Sequence, residues 1–186
     1  MDRRNLLKSV CGISLCSCCA ALAQANQDTE QANQPDKDSG RLRYETDFMR
    51  KRFASLVQTM SETLDEKTMC SIFEAMGRKC AREFNNVIAP YKGRPEAFLE
   101  SIQKQWVESA RFDKEAGTIR IVDKSATCTC PFVDKKMTPS AFCNCTIGWQ
   151  KQAYETVFEK KVDVKIEESI LKGGKQCIFK IDIKNE

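Results

Sequence analysis

Histidine is missing altogether from the 186 residues. Its absence removes the usual general base near neutral pH and the imidazole donors common in catalytic zinc centres. An enzyme built on this chain has to take acid and base from other side chains, and Glu167, Glu168, Lys172 and the cysteines are the candidates. Dense basic patches are missing too: 30 Lys and Arg are interspersed with 26 Asp and Glu in nearly every segment, without interleaved aromatics. That pattern argues against a nucleic-acid partner, whose phosphates reward clustered cations. No internal repeat is evident, and the apolar run from Ser9 to Ala23 falls below the roughly 18 residues a membrane span needs.

The N-terminus carries an address instead. Met1-Asp-Arg-Arg-Asn-Leu-Leu-Lys8, followed by the small-residue apolar run, resembles a twin-arginine export signal. Ala21-Leu22-Ala23 and Ala23-Gln24-Ala25 both fit a small-x-small cleavage site. An uncleaved anchor, or a lipid on Cys18, is the alternative route to the membrane. Residues 1–25 are thus read as signal and 26–42 as a disordered linker, because Gln24 to Gly40 has almost no large apolar residue. The remainder, 43–186, is expected to form one domain in the periplasm or cell envelope.

What the chain does have is cysteine, 11 in all. Removal of the signal leaves Cys70, Cys80, Cys128, Cys130, Cys143, Cys145 and Cys177, an odd number that cannot all be paired in disulfides. Cys128-Thr-Cys130 and Cys143-Asn-Cys145 stand out, since four thiolates so close in sequence are able to complete a tetrahedral shell. Soft sulphur donors select zinc, Cu(I) or an iron–sulfur cluster, and zinc is the expected cofactor. The twin-arginine route exports folded proteins, so a metal can load onto reduced thiols first. Two disulfides within the same loop are the competing reading. Cys70 and Cys80 lie about 15 Å apart along one helix, too far to bridge each other unless Gly77 breaks it. Cys177 alternates with Phe179 and Ile181 on a strand and reads as a core hydrophobe, while Cys70, Cys80 and Cys177 are also the further cysteines that could lie near the four-cysteine site.

Periodicity gives an α+β fold, with N-terminal helices packed on a small antiparallel sheet. Met49, Phe53, Leu56, Val57, Met60 and Leu64 make one helical stripe, and Met69, Ile72, Phe73, Met76, Cys80 and Phe84 a second, with Asp65 as N-cap. Pro95-Glu96 opens a third helix expected to run to about Phe112. Thr118 to Val122 alternates as a strand, and Pro131 and Pro139 keep 128–140 irregular. A fourth helix is expected from Ile147, capped by Asn144 or Thr146, which would set Cys143 and Cys145 at its N-terminus and lower their thiol pKa values. A hairpin of 162–166 and 177–183, turning at Gly173-Gly174, closes the chain.

Cys143-Asn-Cys145-Thr-Ile-Gly-Trp149-Gln-Lys151, Glu155-Thr-Val157, Val162-Asp-Val164, Glu168-Ser169-Ile-Leu171 and Cys177-Ile-Phe179 resemble the end of the four-vinyl-reductase-like domain. They are similar also to L-2-amino-thiazoline-4-carboxylate hydrolase-like proteins. The resemblance implies an α+β unit that binds small hydrophobic ligands or metals and often forms homodimers; it transfers no catalytic residues. Three functions follow as expectations: an exported small-ligand or metal-binding module with a four-cysteine site, a small-molecule hydrolase, or a thiol-redox or copper-handling protein.

Overall fold

The computed structural model describes residues 34–124, 128 and 130–184, so the expected export signal and cleavage sites lie outside the described residues. Helix α1 spans Gln34–Thr63. Its start at Gln34 makes 34–42, expected from composition to be a disordered linker, helical; an Arg41–Glu45 pair at 2.8 Å supports that stretch. Two units divide the chain, one ending at Thr46 and one running Asp47–Glu186. The sheet and the cysteines of the two C-x-C pairs belong to the second.

Helix α2 spans Glu66–Glu83 and starts where its N-cap residue predicts. The Thr68 backbone N–H donates to Asp65 Oδ1 at 2.9 Å, satisfying one of the orphan donors of the first turn. A short α3 (Asn85–Ile88) leads into α4 (Pro95–Gln105), which opens on its proline as expected. Here the expectation of a helix to Phe112 fails: residues Val107–Asp113 form strand β1, paired with β2 (Thr118–Asp123). Val107 and Ala110 continue the three- and four-residue spacing of Ile102 and Trp106, so the helical pattern runs past the true end of α4. Pairing with β2, which completes a ladder and covers Val107 to 1% exposure, overrides that local preference. Helix α5 (Cys143–Phe158) is followed by β3 (Val162–Glu168) and β4 (Ile178–Ile183).

The four strands make an antiparallel sheet in the order β1-β2-β4-β3, with the C-terminal hairpin β3/β4 added beside β2. The fold is therefore α+β: among the described residues, five α-helices, most of them N-terminal, and one sheet. One sheet face presents Ile119, Ile121, Phe179 and Ile181, all nearly inaccessible, to α4 and α5. Each such side chain contributes roughly 1.5–3 kcal/mol by leaving water. The opposite face carries a cross-strand row of like charge, Arg111, Arg120, Lys180 and Lys165, which Glu167 and Asp182 offset through ion pairs at 2.8 and 2.9 Å.

Helix α5 is central, with the sheet on one side and α2 on the other. Phe73 meets Phe142 edge-to-face at 5.4 Å, Gly77 meets Cys145 and Trp149, and Arg82 reaches Gln152 at 3.1 Å, so contacts advance in the same sense along α2 and α5. Two glycines set the approach. A Cβ on Gly77 would stand 1.8 Å from the Cys145 carbonyl oxygen, and one on Gly148 would stand 1.9 Å from that of Glu74. Around this contact Arg78 pairs with Glu155 at 2.7 Å, and Lys151 with Glu74 at 2.9 Å.

Because the obstructing atoms are backbone, neither helix can yield by a rotamer change. Gly77→Ala or Gly148→Ala is expected to cost at least ~3 kcal/mol or to prevent folding, at or above the usual overpacking range. Gly40→Ala, in open space on α1, should be neutral or stabilising by up to about 1 kcal/mol. Urea denaturation monitored by circular dichroism checks both.

Candidate functional site

The irregular segment before α5 and the turn after β3 close over the end of the sheet. A 3-10 turn at Ser140–Phe142 runs directly into α5, whose N-cap is Phe142 with no side-chain cap. The helix thus starts at Cys143 and not at Ile147. This shift decides the cysteine geometry. Residues two apart on a helix point about 200° away from each other, so the Cys143 and Cys145 side chains leave α5 on nearly opposite sides.

Cys143 turns toward the sheet end, where its Sγ lies 3.1 Å from the Ser169 hydroxyl. Both are buried. There a cavity of about 30 Å³ is lined by the sulphur-bearing residues Cys128, Cys130, Cys143 and Cys177, with Phe142 and Leu171 among its apolar walls. Cys145 turns toward α2 and packs, with Cys128 and Cys130, on a cluster that includes Val57, Phe73 and Phe142. Cys80, one turn beyond Gly77 on α2, is close enough to Cys145 to help push its pKa up, and Cys130 does the same to Cys80. Cys70 is half-buried and lines no part of the cavity. Among the described residues no group of three or more Cys, Asp or Glu is placed to hold one metal ion. The single shell of Cys128, Cys130, Cys143 and Cys145 expected from sequence is therefore not assembled, because helical geometry parts the second C-x-C pair.

All seven cysteines among the described residues are free thiols, in place of the disulfide staple. The pKa lowering expected at a helix N-terminus is also overturned. Burial pushes Cys128, Cys143 and Cys177 up, and Cys145 up to about 12, with Cys130, Cys80 and Cys128 adding to the last. Desolvation of a thiolate in an apolar pocket outweighs the helix dipole. The Ser169 hydrogen bond and the nearby Lys172 ammonium pull Cys143 down, against that larger effect. These thiols are protonated near neutral pH, as poor nucleophiles.

The other acid and base candidates have structural work. Glu167 pairs with Arg120, and Glu168 Oε1 accepts the backbone N–H groups of Lys175 and Gln176 at 2.6 and 3.2 Å, bracing the β3–β4 turn. Sequence reasoning missed Asp123, at the end of β2. Its carboxyl is half-buried and interacts with Cys128, Cys177 and Tyr154. No spacing rule flags it, since only the fold carries the end of β2 to the cysteine loop. A second opening of about 490 Å³, lined by Lys92, Glu155, Glu159, Lys160 and Lys161 among others, is polar and broadly open.

Burial raises Asp123 from 3.8 to about 6. Between those values the folded state holds the proton more tightly than the unfolded chain, so this group lowers stability as pH rises through that window. Asp123→Asn should therefore gain stability relative to wild type from about pH 4 to pH 6 and keep the gain at neutral pH. A pH-independent difference in denaturation midpoint between the two would contradict this assignment.

Among solved structures, the chain is similar to a trafficking protein particle complex subunit 3 from Naegleria fowleri covalently bound to palmitic acid, with TM-score 0.53 and 16% identity over 77% of this chain and 97% of that one. At that identity the likeness speaks for the fold alone. A vinyl-4-reductase family protein from Methanocaldococcus jannaschii aligns at TM-score 0.34 and 12% identity, over 70% of this chain and 76% of its own. No curated protein matches the sequence at a significant level. A family model does, over residues 54–186, the span that holds α2, α5, the sheet and every cysteine of the site: the chain belongs to DUF6144, a family of unknown function.

Proposed function

We propose that this protein is a binding module that takes a soft, thiophilic d10 metal ion on the cavity thiols, with Cys143 as the central donor. The observation that carries the reading is the cavity: about 30 Å³ lined by four cysteines inside apolar walls. A cavity holds a water from roughly 10–15 Å³ upward, so this one is small, and it is far below the roughly 300–1,000 Å³ of small-molecule pockets. An ion fits it, whereas an organic ring or an acyl chain such as the palmitate of the trafficking subunit does not. Thiols without imidazole or clustered carboxylate select soft ions. With no three donors gathered among the described residues, Cu(I), which accepts two thiolates, suits the site better than tetrahedral zinc.

Zinc or an iron–sulfur cluster on Cys128, Cys130, Cys143 and Cys145 would need the first turn of α5 to unwind, so that both sulphurs of the second pair face one way. The hydrolase and thiol-exchange readings need ionised or exposed nucleophiles, and the raised, buried Cys143 and the raised, half-buried Cys128, Cys145 and Cys177 favour neither. Export of an already folded protein would allow the ion to be loaded in the cytoplasm. A binding role also accords with the four-vinyl-reductase-like pattern at 143–183.

Anaerobic full-length protein is expected to retain Cu(I) against a competing chelator, and Cys143→Ser to lose that ion. Each ion that binds two protonated thiols releases two protons, so apparent affinity should rise about a hundredfold per pH unit near neutrality. A wild-type protein that surrenders all its Cu(I) overturns the reading. Retained zinc, with the cobalt-substituted form showing tetrahedral thiolate bands, would replace it with the four-sulphur site.

A further inference from the structure

We infer that the chain carries a second soft-ion site, formed by Cys130 and Cys145 with Cys80 beside them, in the apolar seam between α2 and α5. The class of ion, a monovalent d10 cation, rests on the function proposed for the cavity; the place and the number of ions go beyond it. The division of thiols by α5 is the basis. Cys143 and Cys177 line the cavity at the sheet end and Cys145 does not. Cys145 instead packs on the cluster of Val57, Phe73 and Phe142, where Cys143 has no place. Phe142 contributes to both environments and stands between them.

The loop pair Cys128 and Cys130 borders both regions, so neither sulphur of α5 is left without a neighbour. On the α2 side the close approach at Gly77 sets the Cys145 backbone against α2, and Cys80 follows one turn later. Cys130 is the foremost thiol acting on Cys145, with Cys80 next. The aromatic edges of Phe73 and Phe142 keep the seam dry, which favours a bis-thiolate complex of a monovalent ion: its net charge is only −1. No three-donor arrangement is required, in accord with the described residues holding none. Binding forms two metal–sulphur bonds and releases two thiol protons to solvent, with no change of oxidation state.

The test counts ions on the full chain with Cys11, Cys16, Cys18 and Cys19 replaced by Ser, loaded anaerobically with Cu(I) and separately with Ag(I), by native mass spectrometry. Two ions are expected per chain, falling to one in Cys145→Ser, to one in Cys143→Ser and to none in the double variant. Cys130→Ala, in the loop and outside the helix contact, should also lose the seam ion while leaving the helices packed, so a folding defect in Cys145→Ser does not decide the matter. One ion in the parent, kept in Cys145→Ser and lost in Cys143→Ser, overturns the second site and leaves the cavity reading standing. No ion in the parent overturns both.

Discussion

The contact between α2 and α5 at Gly77 and Gly148 is the constraint on which the remaining geometry depends. Backbone meets backbone there with no space for a methyl group on either side. A glycine inside a helix costs roughly 1 kcal/mol of propensity, so two at one crossing need a packing reason. Their close approach lets α5 lie between α2 and the sheet and gives both of its faces a dry partner. The half-buried pairs Arg78–Glu155 and Lys151–Glu74 then fix the rotation of α5 about its axis.

Rotation matters because the chemistry sits in the first turn of that helix. With α5 held between two layers, Cys143 is committed to the sheet end and Cys145 to α2. Burial does the rest: a thiolate in either place loses its water, and both sulphurs stay protonated until something worth more than a proton arrives. On the proposed reading a soft cation would be such a ligand, since it would coordinate sulphur and neutralise the charge that desolvation penalises. The same burial suppresses disulfide exchange, which proceeds through exposed thiolates.

Much of the fold was legible in residues. Asp65 signalled the start of α2 because its carboxylate accepts from Thr68, a local interaction that needs no tertiary partner. Pro95 announced α4, and the alternation of Val162, Val164, Phe179 and Ile181 announced the hairpin, whose buried side chains do face the core. Strand β1 was not legible, since Val107 and Ala110 continue the helical spacing of Ile102 and Trp106, and only the ladder with β2 overrides it. The start of α5 was misplaced for a related reason: Asn144 and Thr146 look like caps. Phe142 takes the cap position instead because its ring is needed between Phe53 and Phe73, at 4.9 and 5.4 Å.

Composition and order alone fix the inventory: thiols without histidine, a soft donor set, an α+β pattern and two C-x-C pairs close in the chain. They also fix what class of ligand such a set prefers, because softness and charge belong to the side chains. Which sulphurs face each other is settled only by packing in three dimensions. A four-residue shift in the start of one helix turned Cys143 and Cys145 to opposite sides of α5, so that Cys143 lines the cavity with Cys177 while Cys145 packs beside α2; separately, the course of β2 carries Asp123 to the cysteine loop. Direction around a helix axis is a property of dihedral angles and packing, and spacing in the chain does not encode it until the helix has a beginning.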